Sequence, residues 1–172
     1  MAVFKVVTQR RPGASYEYEM ESLAPIGAEI IAVPANTEDE FIEAARNADA
    51  IIAGGRRITE NIVNSLEICK IIALGSVGAD SVDVAAATQR NIPVTNVPDV
   101  FIEEVADHTM MLMLAAFRRV TILDKLVKEN RWNEGRLLLP QFPRLMGQTL
   151  GFVSFGHVAR ATALRARAFG VH

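Results

Sequence analysis

The 172-residue chain reads as an α/β protein built on a doubly wound parallel sheet. Three observations predict this. Five short, nearly continuous apolar runs recur along the first hundred residues. Helical patterns alternate with them. The links between the two kinds of segment are short. Strands buried on both faces of a parallel sheet read as unbroken apolar runs rather than as alternation.

The runs are VFKVV (3–7), EIIAVP (29–34), DAIIAG (49–54), KIIALG (70–75) and IPVTNV (92–97). Between them, residues 36–48 open with Thr37 as an N-cap. Glu38, Asp39 and Glu40 follow in the first turn, where the helix dipole favours negative charge. Residues 58–67 place Ile58, Ile62 and Leu66 on one helical face. Residues 81–90 offer Ser81 as a cap and an alanine-rich body. Ligands of such sheets lie beyond the carboxyl ends of the strands.

After Pro98 the pattern changes. No Gly or Pro occurs from residue 99 to 133, and residues 103–129 read as helical throughout. Residues 110–117, MMLMLAAF, are apolar on every side, so a second domain or a second subunit is expected to cover them. Residues 133–144 carry one Gly and two Pro and read as an irregular loop. A strand, a turn and a helix are then expected from residue 150 onward.

Charge and composition exclude several classes. A formal net charge of −2 supplies none of the basic footprint that nucleic-acid binding needs. The single cysteine, Cys69, precludes an internal disulfide framework and fits a reducing compartment. Beside an apolar run it reads as a buried, inert thiol. No metal-ligand spacing is present. The N-terminus lacks a secretory pattern, and the longest apolar run is too short for a bilayer. A soluble, cytoplasmic protein with no membrane partner is expected.

The turn GFVSFGHVA (151–159) matches the dinucleotide fingerprint G-x-G-x-x-G/A in part. Its three positions are Ser154, Gly156 and Ala159. Gly156 stands where a side chain would block a pyrophosphate, and Ala159 is the small residue allowed where helix and strand pack closely. Ser154 departs from the pattern, because serine makes the tight turn less freely than glycine. A plain strand-to-helix turn is the competing reading.

Three motifs in order are more specific: GSVGADSVD (75–83), TNVPDVFIEEVADHT (95–109) and LMGQTLGFVSFGHVARATALRARAFGV (145–171). Together they resemble the NAD-dependent D-isomer-specific 2-hydroxyacid dehydrogenases. The branch holding D-3-phosphoglycerate dehydrogenases and C-terminal-binding proteins looks most similar. The resemblance covers residues 50 to 172.

It implies a flavodoxin-like, substrate-binding parallel sheet domain over residues 1–100. A crossover helix and linker follow over 101–145, and residues 146–172 form the start of an NAD-binding Rossmann domain. It also implies a homodimer through the long helix. The activity implied is hydride transfer between NAD (or NADP) and a D-2-hydroxy or 2-keto acid. A histidine oriented by a carboxylate would move the hydroxyl proton, and an arginine would clamp the acid.

By the same resemblance these catalytic groups, with the residue that separates NAD from NADP, lie beyond His172. The chain would then be the N-terminal part of such an enzyme and inactive alone, and none of His108, His157 and His172 would be the general base. The substrate contacts implied are Gly54, Gly55, Val77 and Gly78. The cofactor contacts implied are Val77, Thr109, Ser154, Phe155, Gly156, His157 and Val158. Arg56 and Arg57 read equally as acid-attracting groups or as solvated charges. Asp107 and Glu104 are expected to cap or pair locally, and His108 to be packed or paired within its helix. An NAD-sensing interaction module and a free-standing binding domain stay open beside the enzyme. The particular 2-hydroxy acid is not readable from these residues.

Overall fold

A computed structural model describes residues 4–172. The chain divides into two compact units, Met1–Pro98 and Asp99–His172. Val3, expected in the first strand, lies outside the described residues.

The first unit is a five-stranded, wholly parallel sheet. Its strands are β1 (Phe4–Gln9), β2 (Ala28–Val33), β3 (Ala50–Ala53), β4 (Ile71–Leu74) and β5 (Val94–Thr95), in the order β2-β1-β3-β4-β5. This is the flavodoxin order, whose topological switch point falls between β1 and β3. Register pairs Val7 with Ile31 and with Ile51, and Ile51 with Ile72.

Four helices connect the strands: α1 (Glu17–Leu23), α2 (Glu38–Ala45), α3 (Glu60–Ser65) and α4 (Val84–Gln89). One sheet face carries the main core. Val7, Ile51 and Ile72 meet Phe41 of α2, Ile62 and Val63 of α3, and Ala86 and Ala87 of α4, all buried. On the other face, an apolar groove of about 450 Å³ lies among Val6, Ala50, Ile52, Ile71 and Ala73, beside Tyr18 and Leu23 of α1.

The caps explain where the helices begin. Thr37 caps α2, as its sequence predicts, and Glu40 reaches back to complete a reciprocal capping box. Thr59 caps α3. That helix is shorter than expected: Ile58 lies outside it, in a parallel bridge to Val82, and is buried there. The cap of α4 is Asp83, not Ser81. The Asp83 carboxylate accepts the Ala86 N–H at 2.9 Å, while the Ser81 carbonyl accepts from Ile58.

The second unit is helical: α5 (Ile102–Phe117), α6 (Val120–Lys128), α7 (Trp132–Leu138) and α8 (His157–Ala166). The single helix expected over 103–129 is therefore two. Arg119 adopts φ +50°, and the Arg118 and Arg119 guanidinium groups lie over the Phe142 ring at 5.7 and 5.3 Å. A left-handed residue ends a helix whatever the local propensity. The loop expected over 133–144 contains α7. Its Gly135 is buried against Leu123 and Leu126 of α6.

The strand expected from residue 150 is not assigned as one. Its backbone pairs only with the chain's last residues, through Gly147 N–H to Gly170 O (2.7 Å), His172 N–H to Gln148 O (2.8 Å) and Leu150 N–H to His172 O (2.8 Å) among the described residues. That is a short parallel-type pairing of three bonds, and a strand exists only by its ladder.

Helix α5 packs on α8 through buried Ala106, Met110, Thr162 and Ala166. Yet Met111 and Leu112 keep 50% and 54% of their surface exposed, so this chain alone does not cover the apolar stretch 110–117. Among the described residues no helix is long and apolar enough to cross a membrane.

Candidate functional site

In the first unit, three loops meet at the carboxyl end of the sheet. They follow β1, β3 and β4. Between them lies a cleft of about 330 Å³, lined by Arg11, Glu19, Gly54, Gly75, Ser76 and Ser81 with Ile52 and Ala53 at its base. It occupies the switch point between β1 and β3, where open α/β sheets take their ligands.

The loop after β4 carries Val77 and Gly78. The Ser76 hydroxyl donates to the Gly78 carbonyl at 2.9 Å, and the Asn96 amide donates to the Val77 carbonyl at 2.7 Å. The Val97 N–H donates to the Ser76 carbonyl at 3.1 Å. The loop's carbonyls are thus turned toward protein donors. Among the hydrogen bonds of the described residues, neither the Val77 nor the Gly78 N–H has a protein acceptor. Two successive free N–H groups on an exposed loop suit a carboxylate. Val77 presents a half-exposed apolar side chain beside them.

The loop after β3 begins with Gly54 and Gly55. Gly55 has φ +81°, and a β-carbon there would stand 2.8 Å from Arg11 Cγ. A side chain at position 55 would thus be strained and would also displace Arg11. The two arginines left open by the sequence differ. Arg56 turns inward, donating to the Gln9 Oε1 and the Ala35 carbonyl at 2.9 Å each, with its guanidinium 5.5 Å from the centre of the Phe41 ring. Arg57 is exposed.

In the second unit, residues 153–156 lead into α8. Ser154 has φ +72°, the left-handed conformation that glycine takes at no cost and serine takes with strain. Gly156 is the N-cap, with nothing within 4 Å of where its β-carbon would be. The first intrahelical bond runs from the Arg160 N–H to the Gly156 carbonyl at 3.0 Å. The N–H groups of His157, Val158 and Ala159 precede it, as orphan donors of a helix start do. Phe155 is exposed and meets Phe152 edge to face. The His157 Nδ1 lies 2.9 Å from Asp99 Oδ1.

Thr109, on α5, is exposed, and its hydroxyl donates to the Val105 carbonyl at 2.7 Å. His108 is exposed beside it, so the packing expected of it is not found, and it makes no ion pair among the described residues. Asp107 pairs across to α8 rather than within its own helix: Arg165 donates to Glu103 and to Asp107, which fastens α8 to α5. The two carboxylates, Glu103 foremost, push the Arg165 guanidinium pKa further up. Glu104 forms no ion pair among the described residues. Cys69 is part-buried and its thiol donates to the Ile71 carbonyl at 3.3 Å; burial pushes its pKa up and away from a reactive thiolate.

Residues 7–168 match the family model of the D-isomer specific 2-hydroxyacid dehydrogenase catalytic domain. The chain belongs to that family. A D-3-phosphoglycerate dehydrogenase of Methanocaldococcus jannaschii is 34% identical over 137 residues, 79% of this chain and 26% of the relative. A glyoxylate reductase of Pyrococcus furiosus is 35% identical over 138 residues, 77% of this chain and 41% of the relative. The crystal structure of the TT0316 protein from Thermus thermophilus superposes with a TM-score of 0.83 and 32% identity. That superposition covers 98% of this chain and 54% of that one. The chain thus spans well under half of these curated relatives, and about half of the solved structure.

For a chain of the D-isomer specific 2-hydroxyacid dehydrogenase family, two residues escaped the sequence reading. Asn96 sits in the fifth apolar run and holds the Val77 carbonyl, and an amide at a strand end was a legible turn signal. Arg11 sits in QRRPG, and nothing local tells that its side chain crosses to Gly55. Each expected contact lies within its own unit, Thr109 standing on α5 of the second. Gly54 and Gly55 follow β3 and Val77 and Gly78 follow β4 at the loop end of the sheet, Gly54 alone of them lining the cleft, while Ser154, Phe155, Gly156, His157 and Val158 lie at the entry to α8.

Proposed function

We propose that this chain serves an NAD(P)-dependent oxidoreductase that interconverts D-2-hydroxy acids and 2-keto acids. Family membership supports the reaction class. The observation that carries the substrate side is the loop after β4: the N–H groups of Val77 and Gly78 are free while Asn96 and Ser76 hold the neighbouring carbonyls. In this reading those N–H groups bind the substrate carboxylate, Gly54 and Gly55 border it from the loop after β3, and Val77 offers an apolar contact to the nicotinamide.

The residues at the start of α8 fit a dinucleotide. Gly156 leaves the approach open, and the N–H groups of His157 and Val158 point out of the helix start, where the dipole favours phosphate. Ser154 and Phe155 shape the turn, and Asp99 holds the His157 ring at its side. Thr109 completes the cofactor set. The nicotinamide, when bound, gives or accepts the hydride. This chain's residues bind and orient, and no proton transfer is assigned to them.

Two further expectations belong to this reading. The half-exposed Met111 and Leu112 of α5 support a homodimer through that helix. Cys69 as a free thiol supports a cytoplasmic setting. The test is oxidation of NADH and NADPH by the full protein with glyoxylate, pyruvate and hydroxypyruvate. Turnover of at least one is expected; no turnover of any would reject the reading.

A further inference from the structure

We propose that Arg11 makes the enzyme selective for 2-keto acids that carry a second acidic group, by binding that distal anion in the cleft between β1 and β3. This rests on the dehydrogenase reading above and adds a residue and a substrate class to it.

Four observations carry the proposal. First, the backbone that carries the exposed Arg11 side chain is anchored. The Tyr16 hydroxyl accepts the Arg11 N–H at 3.4 Å and itself donates to the Gln9 carbonyl at 3.2 Å, and the Ala14 N–H donates to the Arg11 carbonyl at 3.2 Å. Second, its side chain is accommodated by glycines. Its Cγ runs across Gly55 where a β-carbon would collide, and its Cζ lies 3.8 Å from the β-carbon position of Gly54.

Third, its guanidinium is unspent. Among the described residues it makes no ion pair and no side-chain hydrogen bond. The neighbouring Arg56 is committed to Gln9, Ala35 and Phe41. Fourth, Arg11 and Ser76 line the same cleft, and Ser76 opens the loop that offers the Val77 and Gly78 N–H groups. One acid group at that loop and another at Arg11 would span the cleft. A planar guanidinium with free donors matches a carboxylate or a phosphate in two-point geometry.

Glu19 lines the same cleft from α1 without pairing to Arg11, so it opposes the same anion. The two side chains therefore have opposite predicted effects. The experiment measures kcat/KM of the full protein, with saturating NAD(P)H, for two groups of 2-keto acids. Glyoxylate and pyruvate carry one acid group. Oxaloacetate and 2-oxoglutarate carry a second carboxylate, and 3-phosphohydroxypyruvate carries a phosphate.

The wild type should favour a two-acid substrate, and the carboxylate and phosphate arms tell which anion the cleft takes. Arg11→Gln should lower the ratio of two-acid to one-acid kcat/KM on the order of tenfold or more, the size of a charge-assisted hydrogen bond. Glu19→Gln should raise that ratio. An unchanged ratio in Glu19→Gln, or in a folded Arg11→Gln, overturns the proposal. If Arg11→Gln fails to fold, the Glu19→Gln ratio decides alone. Absence of turnover on every 2-keto acid instead overturns the dehydrogenase reading beneath it.

Discussion

The loop after β4 and the turn before α8 are both short, both carry a glycine and both precede a helix, but they are supported in different ways. The first rises from a paired strand whose Ile72 is wholly buried, and two side chains, Ser76 and Asn96, fix its carbonyls. The second follows residues whose backbone pairs only with Gly170 and His172 among the described residues. It holds a serine in the left-handed region and leaves Val153 fully exposed. Its helix is fastened instead by Arg165 and by small buried residues against α5. One loop is shaped by a core beneath it and the other by a clamp beside it. Substitutions should therefore act on them through different routes.

The largest effect should come from the core under the first loop. Ile72→Ala removes a fully buried side chain between β4 and the helix layer, and such deletions cost about 2–5 kcal/mol. Urea unfolding should show that loss, and hydrogen exchange should show it as lost protection in β3 and β4. If α8 lost protection while β3 and β4 kept theirs, the contrast between the two supports would be broken.

A smaller effect is expected at the clamp. Glu103 and Asp107 are exposed and screened, so Arg165→Met should speed exchange of α8 amides by about two- to fivefold. Added salt should narrow the difference between wild type and variant. A salt-independent difference would mean that packing around Ala106 and Thr162, not charge, holds α8.

Smaller again is the strained turn. Relieving a left-handed non-glycine residue gains about 1–2 kcal/mol, and glycine's extra freedom in the unfolded chain returns about 0.5–1 of it. Ser154→Gly should therefore stabilise slightly, by roughly 0.5–1 kcal/mol, read as a small rise in thermal midpoint. A fall would mean that the serine side chain contributes something the backbone does not explain.

The subtlest prediction concerns acid. The Asp49 carboxylate accepts the Lys5 N–H at 3.0 Å and pairs with the Lys70 ammonium at 3.1 Å. The backbone bond first, and the ammonium second, hold its pKa below the usual 3.8. A group lowered on folding stabilises above its unfolded value, and that contribution is lost as pH falls through the lower, folded one. Urea midpoints should therefore drop more below about pH 4 for wild type than for Asp49→Asn. Equal drops would leave Asp49 without a role.

Much of the sheet unit was legible because buried parallel strands leave an uninterrupted apolar trace, and Thr37 with Glu40 spells out a cap. Helix α1 left no such trace: EYEMESL contributes no fully buried residue, so periodicity had nothing to record. Helix α7 was hidden by Gly135, Pro140 and Pro143, which read as loop punctuation although Gly135 is a packing contact with Leu123. The break after α5 was hidden for the opposite reason, since Arg119 takes the left-handed position without a glycine to announce it. At the site, the glycines of both loops were legible. Arg11 was not, because its position depends on a crossing from β1 to the loop after β3 that only the folded sheet creates.

The central claim is that the Val77 and Gly78 N–H groups receive the substrate carboxylate. Amide NMR of the isotope-labelled full protein with bound NAD(P)H, titrated with the unreactive acid oxamate, tests it directly. The account predicts large, saturable shifts at the Val77 and Gly78 amides, with smaller ones at Gly54 and Gly55. Saturable binding that leaves the Val77 and Gly78 amides unmoved would contradict it.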